Sequence, residues 1–300
     1  MSALLMLFGC LVLGVLVARF ARPPANMVAG LNWWVLRIAL PALVLELIPG
    51  LGFDPNLWYP PAVLWLGFLG AWLVFGLLGP RLGWSRGRTG AVILVCGLGN
   101  TTFLGYPLIE TLVGHDAMGV AVVADQLGSF PVLISLAVVI ASLYAGRTPH
   151  PGLIVKRIFT FPAFLALLLG IAINIAGGWP QVVSDALAPI AVTLTPVALF
   201  SVGLQFKLNL GNRQMLGAAC LGWCWKLLAA PALAFAVGVL AGIEGTIFQV
   251  GVLQAGMAPM VSATILANEY ELDPPLANSI LGVGIVLSLA SVPLIDALIG

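Results

Sequence analysis

Charged residues are scarce in this sequence. Of its 300 residues only 8% are Asp, Glu, Lys or Arg, whereas 61% are hydrophobic. A soluble domain carries about 25% charged residues. The composition therefore excludes a soluble globular protein and indicates a protein that crosses the membrane several times. The formal net charge of +1 provides no strongly basic surface, so we expect no nucleic-acid partner.

Metal ligands and catalytic constellations are also scarce. The chain has two histidines, His115 and His150, both in predicted loops, and four cysteines, all within apolar runs. It has no His-Glu-x-x-His motif, no adequate pair of aspartates within the apolar runs and no Ser/His constellation. We therefore expect no disulfide, no metal site, no resident cofactor and no enzymatic activity.

Hydropathy and loop signals predict ten transmembrane helices. Residues 1–18 lack a basic segment, so we interpret them as the first span and not as a cleaved signal. The predicted spans are 3–20, 30–48, 60–79, 89–113, 117–145, 158–176, 184–206, 213–241, 246–268 and 274–299.

Basic residues follow the odd-numbered spans. Ten of the twelve lysines and arginines lie in the loops after spans one, three, five and seven or at the span ends that border them, and the loops after spans two, four, six and eight have none. Positive loops remain in the cytoplasm. The pattern predicts that both termini face outward, and we expect the plasma membrane, the inner membrane in a bacterium, as the location.

Prolines recur at similar positions in the two halves. The pairs are Pro41 with Pro196, Pro107 with Pro259, and Pro131 with Pro293. We predict a first five-helix repeat at 1–146, a cytoplasmic linker at 147–157 and a second repeat at 158–300. Because five is an odd number, the second repeat is inserted upside down, and inverted repeats are a common plan in transporters.

Two spans contain sequences that disfavour a continuous helix. The fourth holds Gly97-Leu98-Gly99-Asn100-Thr101-Thr102-Phe103-Leu104-Gly105-Tyr106-Pro107, and the ninth holds Gln254-Ala255-Gly256-Met257-Ala258-Pro259-Met260. Glycine weakens a helix and proline removes a donor. We expect both helices to break at mid-membrane and cross there. The amino ends of the two second halves would then attract an anion, above all a carboxylate.

The candidate binding residues lie in these two stretches. Asn100, Thr101, Thr102 and Gln254 can hydrogen-bond a substrate or coordinate a cation. The alternative is a pair of proline kinks filled by packing, with no ligand. In that case, burial of the polar side chains would cost free energy without a ligand to offset it.

Three ionisable residues lie within predicted spans. Asp125 in span five is a candidate for coupling to H⁺ or Na⁺, or else forms a structural hydrogen bond to a neighbouring helix. Lys226 in span eight balances Asp125, attracts an anion or extends toward the membrane interface. Arg37, near the cytoplasmic end of span two, is expected to extend toward the interface.

The two interrupted stretches, together with Leu31-Asn32 to Leu43 and the segment from Met257 to Pro274, resemble the auxin efflux carrier family. That family includes plant PIN-formed auxin carriers and bacterial carriers of malate or malonate type, and it is related in fold to bile acid sodium symporters. The middle loop is short here, which favours a bacterial-type carrier.

The resemblance implies an all-α fold of ten helices in two inverted repeats. Helices 1, 2, 6 and 7 would form a scaffold that forms a homodimer, and helices 3–5 and 8–10 would form a moving transport domain. The crossing of helices 4 and 9 would bind the carboxylate substrate. The positions carried over to this chain are Asn100, Pro107 and Pro259.

From these observations we expect a secondary transporter of small organic anions that works by an elevator-type movement. Two alternatives remain at this point. One is a sodium-coupled symporter of the bile acid type, and the other is a ligand sensor on the same fold that does not transport.

Overall fold

The computed structural model describes residues 2–21, 23–148, 159–206 and 213–300, and every regular element within them is a helix. The helices in chain order are α1 (Ser2–Leu16), α2 (Met27–Gly50), α3 (Pro55–Arg81), α4 (Arg86–Gly97), α5 (101–112), α6 (His115–Tyr144), α7 (Pro162–Ile175), α8 (Gln181–Gln205), α9 (213–241), α10 (Gly245–Ala255), α11 (Val261–Glu269) and α12 (Pro274–Ile299). Most of the predicted linker at 147–157, with His150, lies outside the described residues.

Six helices of the described chain are long and apolar enough to cross a membrane: α2, α3, α6, α8, α9 and α12. Two shorter apolar helices, Leu5–Ala21 and Pro162–Ile175, accompany them. About 20 apolar residues span the hydrocarbon layer. These lengths confirm the prediction of an all-helical, polytopic membrane protein.

Several of these helices contain a wider π-helical turn shortly before a proline. Five π-helical segments each end two residues before a proline. They are Val17–Ala21 before Pro23, Val35–Ala39 before Pro41, Thr101–Gly105 before Pro107, Asp125–Ser129 before Pro131 and Trp225–Ala229 before Pro231. A proline ring collides with the carbonyl four residues earlier. That carbonyl lies in the middle of each π segment, where the wider turn moves it out of the way.

A sixth π segment, Leu133–Ala137, has no proline after it. In its middle, the Ser135 hydroxyl donates to the Pro131 carbonyl oxygen over 2.5 Å. A side chain that bonds this carbonyl competes with the helical backbone ladder. A side-chain bond to the backbone thus accompanies this widening.

The chain divides into two compact units. The first unit comprises Met1–Asp54, Thr102–Val122 and Lys156–Phe206, and the second comprises Pro55–Thr101, Val123–Val155 and Lys207–Gly300. The first unit thus contains α1, α2, α7 and α8, with nearly all of α5 and the first turns of α6. The second contains α3, α4, α9, α10, α11 and α12, together with most of α6.

Close backbone contact and one side-chain amide hold the first unit together. A Cβ atom on Gly14 of α1 would collide with the Phe200 carbonyl oxygen, and one on Gly203 of α8 would collide with that of Leu11. Only glycine permits this approach of α1 to α8. At the end of α7, the Asn174 amide donates to the carbonyl oxygens of Ile48, Pro49 and Leu51 at 3.1, 3.0 and 2.9 Å.

Helix α4 lies at the centre of the second unit. Its residues from Ala91 to Cys96 are completely buried. They belong to a core with side chains of five other helices: Phe68 of α3, Ala141 of α6, Trp223 of α9, Ala263 of α11 and Ile280 of α12. The carboxyl end of α4 therefore places the glycine-rich stretch inside the second unit, surrounded by protein.

Candidate functional site

Helix α4 ends where the sequence predicts an opening. Its last helical residue is Gly97, and Leu98 has extended backbone angles, with φ −101° and ψ 131°. The helix cannot simply carry a larger residue at its end, because a Cβ atom on Gly97 would lie 2.7 Å from Cδ2 of Phe68. The chain returns to helix at Thr101, the first residue of α5.

The second opening separates α10 from α11. Helix α10 ends at Ala255, and α11 begins at Val261 after the extended residue Met260, with φ −79° and ψ 129°. Pro259 lies between them and cannot donate a backbone hydrogen bond. Both helices thus break within the second unit.

The two openings satisfy each other. The Asn100 N–H donates to the Ala258 carbonyl oxygen over 2.8 Å, and the Met260 N–H donates to that of Leu98 over 3.2 Å. Gly99 and Pro259 face each other in this antiparallel pairing. Their own N–H groups do not take part, so proline fits this position of the ladder. We call residues 98–100 and 258–260 together the crossing.

Four helix ends meet at the crossing. The carboxyl ends of α4 and α10 carry partial negative charge, and the amino ends of α5 and α11 carry partial positive charge. Backbone groups freed inside a membrane cost several kcal/mol each unless protein or water satisfies them. The mutual pairing reduces this cost and holds the four ends at one place.

Lys226 extends to the crossing from α9. It is 2% exposed and lies in the π segment Trp225–Ala229. Its ammonium donates to the carbonyl oxygen of Ala255, the last residue of α10, over 2.8 Å. A Cβ atom on Gly99 would be 2.9 Å from Nζ of this lysine. Lys226 therefore does not extend to the membrane interface, which excludes that alternative.

The lysine is a buried cation without a nearby acid. Within the described part of the chain, no carboxylate forms an ion pair with Lys226, so it does not pair directly with Asp125. An unpaired buried charge is costly, and such groups usually mark a functional position.

Gln254, next to Ala255 in α10, is completely buried. Neither the nitrogen nor the oxygen of its side-chain amide has a hydrogen-bond partner among the described residues. The same applies to the side-chain oxygen of Gln126. A buried polar atom without a partner costs about 1–3 kcal/mol, so these atoms are places where a ligand would lower the free energy.

Asp125 is connected to the crossing through Thr101. The Thr101 hydroxyl donates to one carboxylate oxygen of Asp125, and the Gln126 amide donates to the other over 2.9 Å. Asp125 opens the π segment Asp125–Ser129. Asp125 and Lys226 are the charged side chains that are almost fully buried in the described residues, and both belong to the second unit.

The structure brings together most of the residues singled out from the sequence. Asn100, Thr101, Gln254 and Pro259 lie in or beside the crossing within the second unit. Thr102 and Pro107 are grouped with the first unit, as the second and seventh residues of α5.

Two residues of the arrangement were not foreseen. Gly99, not Pro107, is the residue that faces Pro259. Gln126 holds the Asp125 carboxylate, and its position beside an acid within an apolar span is the signal that would have identified it.

Comparison with known proteins places this chain among transporters. A family of membrane transport proteins matches residues 1–295. An uncharacterized transporter of Methanothermobacter thermautotrophicus is 27% identical over 267 residues, which are 88% of this chain and 86% of the relative. An uncharacterized transporter of Methanocaldococcus jannaschii is 26% identical over 78% of this chain and 76% of its own length.

Plant proteins also match, over a smaller part of their length. Auxin efflux carrier component 3a of Oryza sativa subsp. japonica is 22% identical over 201 residues, which are 65% of this chain and 31% of the plant protein. These relatives are transporters and not enzymes, as the sequence predicts. With a family match that extends over nearly its whole length, this chain belongs to the membrane transport protein family, the auxin efflux carrier family that its motifs resemble.

Proposed function

We propose that this protein is a secondary transporter of small organic anions of the malate, malonate or auxin-like class, and that the substrate carboxylate binds at the crossing. The observation that carries the proposal is the buried, positively charged and unsatisfied surroundings of the crossing. The Lys226 ammonium lies there without a carboxylate partner among the described residues. Both atoms of the Gln254 amide also lack partners there.

A carboxylate fits these groups chemically. Its negative charge complements the ammonium and the amino ends of α5 and α11, and its oxygens accept hydrogen bonds from amide N–H groups. The Gln254 amide offers a donor for such an oxygen and an acceptor for a hydroxyl or N–H group elsewhere on the substrate. Asn100 lies in the crossing, and Thr101 follows it as the first residue of α5.

The proposed fold counts each interrupted pair as one span. With α4 and α5 as one span, and α10 and α11 as another, the helices number ten, in two inverted repeats of five. The first unit contains α1, α2, α7 and α8, which correspond to the scaffold helices, and also Thr102–Val122, which belongs to the predicted spans four and five. The crossing lies within the second unit, which supports an elevator-type movement in which this unit carries the substrate.

The proposed location is the plasma membrane, the inner membrane in a bacterium, with both termini outside. The arginines that support this orientation include Arg81 at the end of α3, Arg86 and Arg88 at the start of α4, and Arg147 after α6. Reaction of single cysteines introduced next to them with an impermeant thiol reagent tests it. Labelling of those cysteines from outside in intact cells would reverse the orientation.

Asp125 remains our proposed coupling residue because its carboxylate is buried and joined to the crossing by Thr101. The Asp125→Asn substitution should change the pH or sodium dependence of transport. Flux measured at several pH values, with and without sodium, tests this role. An unchanged dependence on both would contradict it.

Flux into liposomes tests the main proposal. Purified protein would be reconstituted, and uptake of labelled mono- and dicarboxylates measured against empty liposomes. Gln254→Ala should lower uptake about ten- to a hundredfold, because this is the effect expected from the loss of one hydrogen bond to a charged group. The matched control is Gln249→Ala on the same helix, whose amide donates to Asp296 over 2.6 Å.

The outcomes separate the remaining functions. Uptake that is lost in Gln254→Ala and retained in Gln249→Ala supports an anion carrier with its site at the crossing. Binding without uptake would indicate a sensor. Absence of both for every carboxylate would overturn the proposal.

A further inference from the structure

Helix α10 ends inside the protein at Ala255, and its last carbonyl oxygen accepts a hydrogen bond from Lys226. The carboxyl end of a broken helix carries partial negative charge and attracts a cation. In secondary transporters with broken helices, such ends and the carbonyls beside them coordinate the coupling Na⁺. The position at the end of α10 is therefore one where a transported or coupling cation is expected.

We infer that the Lys226 ammonium is a built-in cation that occupies the position of a coupling Na⁺ beside the crossing. This inference rests on the proposed function, because it concerns what balances the substrate charge. It implies that the protein binds its anion without sodium. It also implies that removal of the lysine side chain creates a cation site.

The geometry supports this role in two ways. The ammonium contacts the crossing closely, since a Cβ atom on Gly99 would lie 2.9 Å from Nζ and 3.2 Å from the Gln254 carbonyl oxygen. The carbonyl oxygens of Gln254 and Ala255 thus border the same small space. A sodium ion placed there would stand next to a fixed positive charge, and the two would repel each other strongly.

The charge of the ammonium and its number of N–H donors leave room for a second partner, the substrate carboxylate. An ammonium has three N–H donors, and the Ala255 carbonyl takes one of them. No carboxylate of the described chain forms an ion pair with it. A bound substrate carboxylate would supply the missing negative charge. In a sodium-coupled carrier, the substrate carboxylate would balance the charge of the bound metal cation in the same way.

Asp125 does not take that role. Its two carboxylate oxygens accept from Thr101 and Gln126. The sulfur of Cys96 lies beside α9, since a Cβ atom on Gly222, one turn before Lys226, would lie 2.5 Å from it, but a thiol carries no charge to balance the ammonium. The charge of Lys226 is thus directed to the crossing.

The test compares cation dependence in the wild-type protein and in Lys226→Ala. The readouts are the apparent Tm of the purified protein and binding of a labelled carboxylate, each in choline, sodium or ethylammonium chloride at equal ionic strength. The matched control is Leu227→Ala, which removes the neighbouring buried side chain and leaves the charge in place.

Wild-type protein should bind the carboxylate equally well in all three salts. Lys226→Ala in choline should bind it about ten- to a hundredfold more weakly, because a charged hydrogen-bond partner is lost. Sodium or ethylammonium should restore binding, and should raise the Tm of this variant even without carboxylate. Leu227→Ala should show no such cation effect.

Three results would overturn the inference: a sodium requirement in the wild type, unchanged binding by Lys226→Ala in choline, or no effect of either cation on that variant. If Lys226→Ala does not fold, Lys226→Gln keeps the volume and a donor. It should bind the carboxylate weakly in every salt, and wild-type binding in Lys226→Gln would equally overturn the inference.

The cation-dependent Tm separates this inference from the proposed function. It needs no substrate, so it reports the cation site even if every carboxylate fails in the flux assay. Flux of a carboxylate that depends on sodium would support the transporter and reject the built-in cation.

Discussion

The Gly99→Ala substitution tests the geometry of the crossing with a single methyl group. The added Cβ atom would lie 2.9 Å from Nζ and 3.3 Å from Cε of Lys226, and 3.2 Å from the Gln254 carbonyl oxygen. The carbonyl belongs to the backbone of α10 and cannot rotate away. The lysine must therefore withdraw, and its 2.8 Å hydrogen bond to Ala255 must lengthen or break.

The expected cost follows from that hydrogen bond. A hydrogen bond to a charged group contributes about 1.5–3 kcal/mol, and overpacking of a filled interior costs about 1–3 kcal/mol. We expect Gly99→Ala to lose about 3 kcal/mol of stability. In a chain of this size that is a fall in apparent Tm of about 6 °C, and carboxylate binding should fall with it.

The assay is thermal unfolding of purified protein in detergent, with substrate binding measured in parallel. Gly217→Ala in α9 is the matched control, because no atom lies within 4 Å of its added Cβ. That change should be neutral or stabilise by roughly 0.5 kcal/mol, since alanine favours helix. In a Lys226→Ala background the penalty of Gly99→Ala should shrink, because the clash with the lysine is absent.

The reasoning is refuted if Gly99→Ala and Gly217→Ala have the same Tm and the same substrate binding. It is also refuted if the penalty of Gly99→Ala is unchanged when Lys226 is removed. In that case the backbone alone, and not the lysine, would require glycine at this position.

Three further substitutions test the packing around the site and in the first unit. Gly284→Ala places a Cβ atom 2.6 Å from the rigid ring of Pro259 and should cost about 1–3 kcal/mol and lower flux; normal flux would argue against close packing behind the crossing. Asn174→Ala removes the donor for three carbonyls at the end of α2 and should lower Tm by an equivalent of about 1–3 kcal/mol, and an unchanged Tm would show that water replaces it. Tyr59→Phe removes a 2.8 Å bond to the Ala234 carbonyl and should cost about 1 kcal/mol, with no loss of substrate binding; a loss of binding would place Tyr59 in the site.

The local sequence was sufficient to predict the breaks in the helices. Glycines at 97 and 99 and proline at 259 weaken a helix wherever they occur, and the helices end there. Their apolar context predicts that the breaks lie within the membrane. The buried charges of Asp125 and Lys226 were also predictable, because an ionised residue in an apolar span is rare and expensive.

The register of the crossing was not predictable in this way. The sequence pairs Pro107 with Pro259 as counterparts in the two predicted repeats, yet the residue that faces Pro259 is Gly99. The pairing joins residues about 160 positions apart, and a slip of one or two residues changes no local preference. The same applies to Lys226, whose acceptor on another helix is fixed only by the packing of α9 and α10.

The π segments lie between these cases. Each of five segments ends two residues before a proline, but Pro189 and Pro293 lie within helices that have no π segment, so a proline alone does not predict one. The five include the widened turns that hold Asp125 and Lys226, where side chains of neighbouring residues are rotated relative to an α-helix. The segment Leu133–Ala137 is the opposite case, because no proline follows it.

If the second unit moves as proposed, the two buried charges of its described residues would determine how membrane voltage acts on the carrier. Asp125 and Lys226 have opposite sign and lie in the same unit, so their charges sum to zero. A potential of 100 mV does about 2.3 kcal/mol of work on each elementary charge that crosses the membrane. In the proposed movement, the empty site would cross without electrical work, and the loaded site would carry the charge of its substrate together with that of any ion bound at Asp125. Voltage would then drive the loaded step alone, in proportion to this net charge.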